Sequence, residues 1–167
     1  EVKDQVVLVS GGSRGIGLAI AAGFAQRGAQ VVITGRDSST LEQAVATMTD
    51  VPLSPQGVVC DVSQSDQIQQ TVDQLQKQYG RVDTLINVAG VNRRKPSLEV
   101  TEEDYDFILD INLKGAFLLS QAIGHLMVDQ GAGSQINIAS LNTDRPLRNV
   151  LPYAVSKAGM GHMTRAL

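Results

Sequence analysis

The chain has 167 residues, 43% of them hydrophobic, which is enough for one cored domain and too few for two ordinary ones. Its 14 basic and 17 acidic side chains give a net charge of −3, which excludes the broad cationic surface that binds nucleic acid or anionic membranes and favours a small-molecule partner. The single cysteine, Cys60, excludes an intrachain disulfide, and its apolar neighbours predict a buried thiol.

The sequence carries no pattern typical of a signal peptide, because its first residues are charged where such a segment would be apolar. It also shows no apolar stretch that approaches the length of a membrane span. We therefore expect a cytoplasmic protein with no membrane partner, no nucleic-acid partner and no metal.

Five short runs rich in β-branched residues predict strands at 6–9, 31–34, 57–60, 84–88 and 135–138. The segments between them carry apolar residues three and four positions apart, which predicts helices at 18–26, 64–78 and 102–130 and another that starts near 153. Because apolar strands alternate with helices, we expect an α/β fold with a doubly wound parallel sheet. In such sheets ligands bind beyond the carboxyl ends of the strands.

A glycine-rich loop follows the first predicted strand, with the sequence Ser10-Gly11-Gly12-Ser13-Arg14-Gly15-Ile16-Gly17. Glycines at a strand-to-helix junction allow a sharp turn, a close approach of backbone N–H groups to a pyrophosphate, and tight packing of the helix. The cluster alone is a weak signal, but its place between a strand and a helix, with four more strands to follow, predicts a dinucleotide site.

The residues after the second strand bear on the choice of dinucleotide. An NAD enzyme carries a carboxylate there to bind the ribose 2′-hydroxyl, whereas this chain has Gly35 followed by Arg36. A guanidinium pairs with a 2′-phosphate, and Arg14 can approach the same phosphate, so we expect NADP(H). NAD(H) is the alternative if the strand ends later and Asp37 takes the ribose. Asp61, after the third strand, is predicted either to accept from the adenine amino group or to cap a helix.

Tyr153 and Lys157 are four residues apart, which predicts that they lie one turn apart on one face of a helix. Carbonyl reduction needs a proton donor for the nascent alkoxide, and a nearby ammonium lowers the tyrosine pKa from its usual value of about 10. Ser140, at the end of the fifth strand, can supply a hydroxyl to the same carbonyl oxygen. These three side chains therefore predict proton transfer between an alcohol and a ketone.

In order and spacing, these motifs resemble those of the short-chain dehydrogenase/reductase family over the whole chain. The resemblance rests on Gly11-x-x-x-Gly15-x-Gly17, Asp61, Asn87-Val88-Ala89-Gly90, Asn112, Ser140 and Tyr153-x-x-x-Lys157. It implies a Rossmann fold in a single dinucleotide-binding domain, residues 1–167, and NAD(P)-dependent oxidation and reduction at CH–OH groups.

The resemblance also implies roles for single residues. Tyr153 is the expected general acid and base, Ser140 orients and polarises the carbonyl, and Lys157 binds the nicotinamide ribose and tunes Tyr153. Asn112 is expected to hold a water that continues the proton path. The implied cofactor-binding residues are Gly11, Ser13, Arg14, Gly15, Ile16, Gly17, Arg36, Asp61, Val62, Asn87, Ala89, Gly90, Tyr153 and Lys157.

Two positions depart from the usual family pattern. Ser10 replaces a threonine, which exchanges one hydroxyl for another. Val88 replaces a second asparagine, which removes an amide that normally ties neighbouring strands together beneath the cofactor. We expect local loosening there.

Three consecutive cations, Arg93, Arg94 and Lys95, follow the fourth strand near the expected mouth of the site. Such a run is either a solvated segment or a site for an anionic substrate, since a guanidinium binds a carboxylate bidentately. This stretch is similar to the gluconate 5-dehydrogenase and 2-deoxygluconate 3-dehydrogenase branch, which implies a sugar acid bound by Arg93, Arg94, Ser140 and Tyr153. The alternative is a 3-oxoacyl-carrier-protein reductase.

Both ends of the chain look cut, because no initiator methionine is present and the last residues fall within a predicted helix. Since the family continues further, we expect truncation after the catalytic helix and the lack of the C-terminal strands and the substrate lid. The resemblance also implies a homo-oligomer, a dimer or homotetramer, through helix 102–130 and the helix that starts near 153. Two rival hypotheses are a truncated fragment that binds cofactor without turnover and a purely structural interaction module.

Overall fold

The computed structural model describes residues 2–167 and shows a five-stranded sheet with helices on both faces. The strands are β1 (Val6–Ser10), β2 (Gln30–Gly35), β3 (Gln56–Val59), β4 (Thr84–Asn87) and β5 (Ser134–Asn137). The helices are α1 (Gly15–Ala25), α2 (Ser38–Thr47), α3 (Ser65–Tyr79), α4 (Glu102–Leu109), α5 (Gly115–Asp129) and α6 (Leu151–Ala166). All neighbouring strands are parallel, in the order β3-β2-β1-β4-β5, so the predicted doubly wound α/β fold is confirmed.

The core divides into two clusters because successive residues of each strand point to opposite faces of the sheet. On one face, Leu8 and Leu85 pack with side chains of α3 and α5. On the other face, Val7 and Val9 pack with small side chains of α1, including Ala21. The inner strands β1, β2 and β4 are buried along most of their length, as expected for strands covered on both faces. The edge strands β3 and β5 instead alternate between exposed and half-buried residues, so the expectation of continuous apolar strands is wrong for these two.

The boundaries of the elements differ slightly from those predicted. β3 begins and ends one residue earlier than the predicted 57–60, and β4 ends at Asn87 instead of 88. The N–H of Val88 still donates to the carbonyl of Ser10 (3.1 Å), but the segment beyond it leaves the sheet to line the cleft described below. α6 begins at Leu151, before the predicted start near 153, and Pro152 occupies its first turn, where a missing N–H costs nothing.

The predicted helix 102–130 is present as one continuous helical segment, 102–129, with a π-helical turn at Asp110–Lys114 that the sequence analysis did not predict. Its start is fixed by a capping box between Thr101 and Asp104. By length and hydropathy this segment passes the test for a membrane span, so the expectation that no such stretch exists is wrong by that measure. Its apolar side chains include Leu119 and Ile123, which are buried against the sheet.

Candidate active site

The glycine loop leaves β1 at the carboxyl edge of the sheet and packs against the end of β4. Gly11 has a left-handed backbone (φ 70°), and a Cβ there would lie 2.7 Å from the Cα of Ala89. A Cβ on Gly17 would lie 2.2 Å from the Gly11 carbonyl oxygen. Side chains are therefore excluded at both positions, and the first turn of α1 presents N–H groups without helical partners there. This arrangement fits the pyrophosphate of a dinucleotide.

A cleft of about 660 Å³ opens along this edge of the sheet, and its size is typical of a small-molecule or cofactor site. The predicted cofactor residues that line it are Gly11, Ser13, Arg14, Ile16, Gly17, Arg36, Asp61, Val62, Ala89 and Gly90. The other predicted residues, Gly15, Asn87, Tyr153 and Lys157, are not part of its lining. Lining residues that the sequence analysis did not assign to the cofactor include Leu18, Thr40, Gln43, Val88, Val91 and Ile111.

The end of β2 places Gly35 at the strand terminus, as predicted, with Arg36 and Asp37 directly beyond it. The carboxylate of Asp37 caps α2, because its Oδ1 accepts from the N–H of Thr40 (2.8 Å) and from the hydroxyl of Ser39 (2.7 Å). These hydrogen bonds hold the pKa of Asp37 below its usual value. One carboxylate oxygen is thus committed to the helix, whereas Arg14 and Arg36 are exposed beside the cleft.

Asp61 and Cys60 form the wall of the cleft at the end of β3. The Oδ1 of Asp61 accepts from both the N–H and the hydroxyl of Ser63 (2.9 and 2.8 Å). Asp61 therefore stabilises the turn before α3, but it does not cap that helix, whose N-cap is Gln64. The Cys60 thiol is buried, as predicted, and burial raises its pKa, which disfavours the reactive thiolate.

Asn87 lies behind the cleft as a connector between β4, β5 and α5. Its Nδ2 donates to Ser120 Oγ (2.9 Å) and to Asn137 Oδ1 (2.8 Å). The Oδ1 of Asn87 is buried without a partner among the described residues. Asn87 therefore supports the wall that Ala89 and Gly90 form.

Lys157 and Tyr153 lie one turn apart on α6, and the Lys157 ammonium is 5.8 Å from the centre of the Tyr153 ring. Lys157 is only 4% exposed, and its Nζ donates to the carbonyl of Ile138 (2.6 Å). Burial lowers the pKa of Lys157 from its usual value. The predicted spacing of the pair is thus present, with the ammonium anchored at the end of β5.

Asn112 lies in the π-helical turn and is fully buried. Its Oδ1 accepts from the N–H of Val91 (2.7 Å), and its Nδ2 donates to the Val91 carbonyl (2.9 Å) and to Ser156 Oγ (3.1 Å). The side chain thereby ties the segment after β4 to α6. Because it has these three partners, its predicted water-binding role stays a prediction.

Ser140 is held by two residues that the sequence analysis did not assign to the site. Its Oγ accepts from the backbone N–H of Asn142 (3.2 Å) and from Asn142 Nδ2 (3.3 Å). Thr143 Oγ1 accepts from the Ser140 N–H (3.4 Å) and donates to the Lys157 carbonyl (3.3 Å). A capping-box pattern after Ser140 was the available sequence signal for this turn.

The cationic run after β4 is divided between two environments. Arg93 donates to Asp104 Oδ1 (3.0 Å) and stacks over Phe107, and Lys95 pairs with the other carboxylate oxygen of Asp104. Asp104 is only 4% exposed, and these partners hold its pKa well below its usual value. Arg93 therefore has a structural ion pair that the sequence analysis did not foresee.

Arg94 is not part of this ion pair and lines a second cleft of about 380 Å³, together with Lys95. Arg148 and Asn149, from the segment that precedes α6, also line this cleft. The Lys95 N–H donates to the Asn149 carbonyl (3.0 Å) and joins the two segments. Neither Arg94 nor Arg148 has an ion-pair partner within residues 2–167.

A family model and individual proteins of known name both match nearly the whole chain. The model of the family described as short chain dehydrogenase matches residues 5–167. Gluconate 5-dehydrogenase of Gluconobacter oxydans is 33% identical over 160 residues, which are 96% of this chain and 62% of that protein. A 3-oxoacyl-[acyl-carrier-protein] reductase of Thermotoga maritima is 34% identical over 164 residues, which are 98% of this chain and 67% of that protein.

Solved structures agree with the sequence comparison. A metagenomic short-chain oxidoreductase in complex with NADP has a TM-score of 0.93 and 35% identity, with 99% of this chain and 76% of that chain covered. The chain thus spans less than two thirds of the length of the gluconate 5-dehydrogenase that it resembles.

Proposed function

The chain belongs to the short-chain dehydrogenase family, and on that premise we propose that the protein is a cytoplasmic NADP(H)-dependent oxidoreductase that interconverts a secondary alcohol and a ketone of a sugar acid. The observation that carries this proposal is the placement of Lys157 one turn from Tyr153 on α6, with its Nζ bound to the Ile138 carbonyl beyond β5. Ser140 is joined to the same turn of α6 through Thr143, and the glycine loop borders a cleft of cofactor size. When bound, the nicotinamide dinucleotide supplies or accepts the hydride.

The residues of the chain handle the proton. In the reducing direction, the Tyr153 hydroxyl gives its proton to the developing alkoxide, and the Ser140 hydroxyl donates a hydrogen bond to the same oxygen. The Lys157 ammonium stabilises the tyrosinate that this transfer leaves, because an adjacent positive charge favours the ionised phenol. In the oxidising direction the tyrosinate takes the proton of the alcohol.

NADP(H) is the proposed cofactor because the cleft beyond β2 presents arginine side chains. Arg14 and Arg36 both line the cleft, and a guanidinium matches the geometry of a 2′-phosphate. The carboxylate that competes for a ribose, Asp37, is engaged by Thr40 and Ser39. The charge balance at this end of the cleft therefore favours the phosphorylated dinucleotide.

A sugar acid is the proposed substrate because Arg94 and Arg148 face one cleft without acidic partners in the described part of the chain. Of the two arginines that the sequence analysis assigned to the substrate, Arg93 is already paired with Asp104. Arg94 therefore keeps that proposed role, with Arg148 as its partner from the segment that leads into α6. A second candidate is the reduction of a 3-oxoacyl carrier thioester, because the same arginines suit the phosphate of a carrier arm and one relative has that activity in its name.

The test is a screen of the purified protein with both cofactors against gluconate-like acids, neutral polyols and 3-oxoacyl carrier thioesters. We expect the highest kcat/KM with a gluconate-like acid and NADP. Arg94→Ala and Arg148→Ala should each raise KM for acids and leave KM for polyols unchanged, whereas Arg93→Ala should chiefly lower thermal stability. A clear preference for NAD would contradict the role of Arg36, and a preference for thioesters would support the second candidate.

We also propose a homo-oligomer, a dimer or tetramer, that uses the 102–130 helix and α6. A groove between these helices is lined by the apolar side chains of Leu109, Leu113, Phe117 and Met163 and by the Asp110–Lys114 ion pair, and Phe117 is 41% exposed. Apolar surface of this kind is typical of subunit contacts. Sedimentation analysis tests this proposal, and a monomer at micromolar concentration would contradict it.

A further inference from the structure

The hydroxyl of Ser140 has an unusual set of hydrogen bonds. A serine hydroxyl has one proton to donate and two lone pairs with which to accept. Two N–H donors, both from Asn142, point at Ser140 Oγ, at 3.2 Å from the backbone nitrogen and 3.3 Å from Nδ2. Both lone pairs of Oγ are thus engaged, while no acceptor for its proton is present among residues 2–167.

The orientation of the Asn142 amide follows from its other partner. The backbone N–H of Leu147 donates to Asn142 Oδ1 (2.9 Å). The opposite flip of the amide would place Nδ2 against this N–H, donor against donor, and would leave an oxygen facing Ser140. Asn142 is only 6% exposed, so water does not readily replace either partner. Its Nδ2 must therefore face Ser140.

We propose that Asn142 is a positioning residue that restricts the Ser140 hydroxyl to donation, so that its single proton is directed to the substrate oxygen. This inference rests on the proposed carbonyl and alcohol chemistry. A hydroxyl with a free lone pair would also accept hydrogen bonds from other donors near the site, and its proton would then point to the substrate oxygen in only a fraction of the molecules. A hydroxyl whose lone pairs are filled is preorganised for the oxygen on which negative charge develops.

The same side chain also has a purely structural contact, since it holds the loop through Leu147. Asn142→Asp separates the two roles. The carboxylate still accepts from the Leu147 N–H, but towards Ser140 it can only accept, and it draws the hydroxyl proton away from the substrate. Asn142→Ala removes both side-chain contacts and leaves the backbone N–H as the remaining donor to Ser140.

The two roles predict opposite orders of activity. If Asn142 sets the polarity of Ser140, Asn142→Asp lowers kcat by about 10²-fold, as for the loss of one oxyanion donor, and Asn142→Ala lowers it less. If Asn142 only supports the loop, Asn142→Ala is the more impaired variant in both kcat and thermal stability, and the proposal is overturned. Activity relative to the parent is measured down to the lowest pH at which both proteins stay folded, and the deficit of Asn142→Asp should shrink where the introduced carboxyl group is protonated, because a protonated carboxyl group can again donate to Ser140.

A second comparison separates polarity from the added negative charge. In a Ser140→Ala background, Asn142→Asp should have little further effect on kcat, because the hydroxyl that it misdirects is gone. An equal loss in both backgrounds would assign the effect to charge alone and overturn the proposal. Arg145→Gln makes the same change in net charge at an exposed position of the same loop and should leave kcat near the parent value.

A measurement that does not depend on catalysis distinguishes a failure of this inference from a failure of the proposed function. The side-chain amide resonances of Asn142, in ¹H–¹⁵N spectra, should shift on Ser140→Ala, because Nδ2 loses its acceptor. Unchanged resonances would overturn the inference even in an active enzyme. A protein that shows the shift but turns over no alcohol or ketone would contradict the proposed function instead.

Discussion

The glycine-lined cleft and the end of α6 that carries Tyr153 are built by different means. At the cleft, side chains are excluded, as at Gly11, and the polar groups that remain are exposed and available to a ligand. At the other end, side chains are already hydrogen-bonded by the protein, as for Lys157 with Ile138 and Ser140 with Asn142. Under the proposed function, the space left by the glycines admits the cofactor, whereas the internal hydrogen bonds orient the side chains that transfer the proton.

The largest expected effect on kcat comes from a substitution on α6. Tyr153→Phe removes the proton donor and keeps the ring, so kcat should fall by at least about 10²- to 10⁴-fold, the usual contribution of a general acid. Cofactor affinity, measured by fluorescence titration, should stay close to that of the parent, because Tyr153 does not line the cleft. Substantial remaining activity would mean that a group other than Tyr153 donates the proton. The two regions would then not differ in the way described above.

The next effect comes from the cleft. Gly11→Ala places a Cβ 2.7 Å from the Ala89 backbone in a left-handed conformation, so the end of β4 must move and cofactor affinity should fall strongly. Gly80→Ala is the matched control, because Gly80 has a similar φ of 69° but no atom within 4 Å of its Cβ position. We expect the control to lose stability through strain alone and to bind cofactor normally. Equal cofactor affinity in the two variants would show that the close contact of Gly11 with the Ala89 backbone is not needed for cofactor binding.

The smallest effect concerns acid stability at the Asp104 ion pair. Lys95 and Arg93 hold the folded-state pKa of Asp104 well below the unfolded value of about 3.9, so its contribution is complete above that pH and is lost as pH falls below it. Asp104→Asn should therefore lower the free energy of unfolding at pH 7, and its stability should decline less than that of the parent between about pH 5 and 3.

Urea unfolding at a series of pH values measures this effect. Asp106→Asn is the matched control, because Asp106 is exposed on the same helix. A parallel decline in parent and Asp104→Asn would mean that other carboxylates dominate acid unfolding. A lower kcat in Asp104→Asn would mean that this ion pair also influences the residues proposed for catalysis on α6.

The sequence predicted the fold because the inner strands β1, β2 and β4 are buried and the helices α1, α3 and α5 fall in segments with apolar residues three and four positions apart. It did not predict α2. It predicted the glycine loop for a related reason, since Gly11 and Gly17 are required by the local geometry. The partner of Arg93 could not be predicted in this way, because Asp104 lies eleven residues away and only the folded loop brings them together.

Other parts of the site also needed the tertiary structure. Asn142 has no periodic pattern to mark it, and its importance depends on the direction of one amide. The π-helical turn was not predicted either, since Asn112 fits an ordinary helical spacing as well. Resemblance indicated Asn112, but the contacts of its side chain with Val91 and Ser156 became visible only in the structure.

The central place of β1 has a consequence for the order in which the protein folds. β1 pairs with β2 early in the chain, but its other neighbour is β4, and the contact between the Val6 N–H and Asp83 Oδ2 (2.8 Å) joins residues 77 positions apart. Contacts over such separations form late, and synthesis delivers the first half of the chain first. We expect β1, β2 and β3 to assemble as an early unit whose glycine loop gains its opposite wall, at Ala89, only when β4 docks.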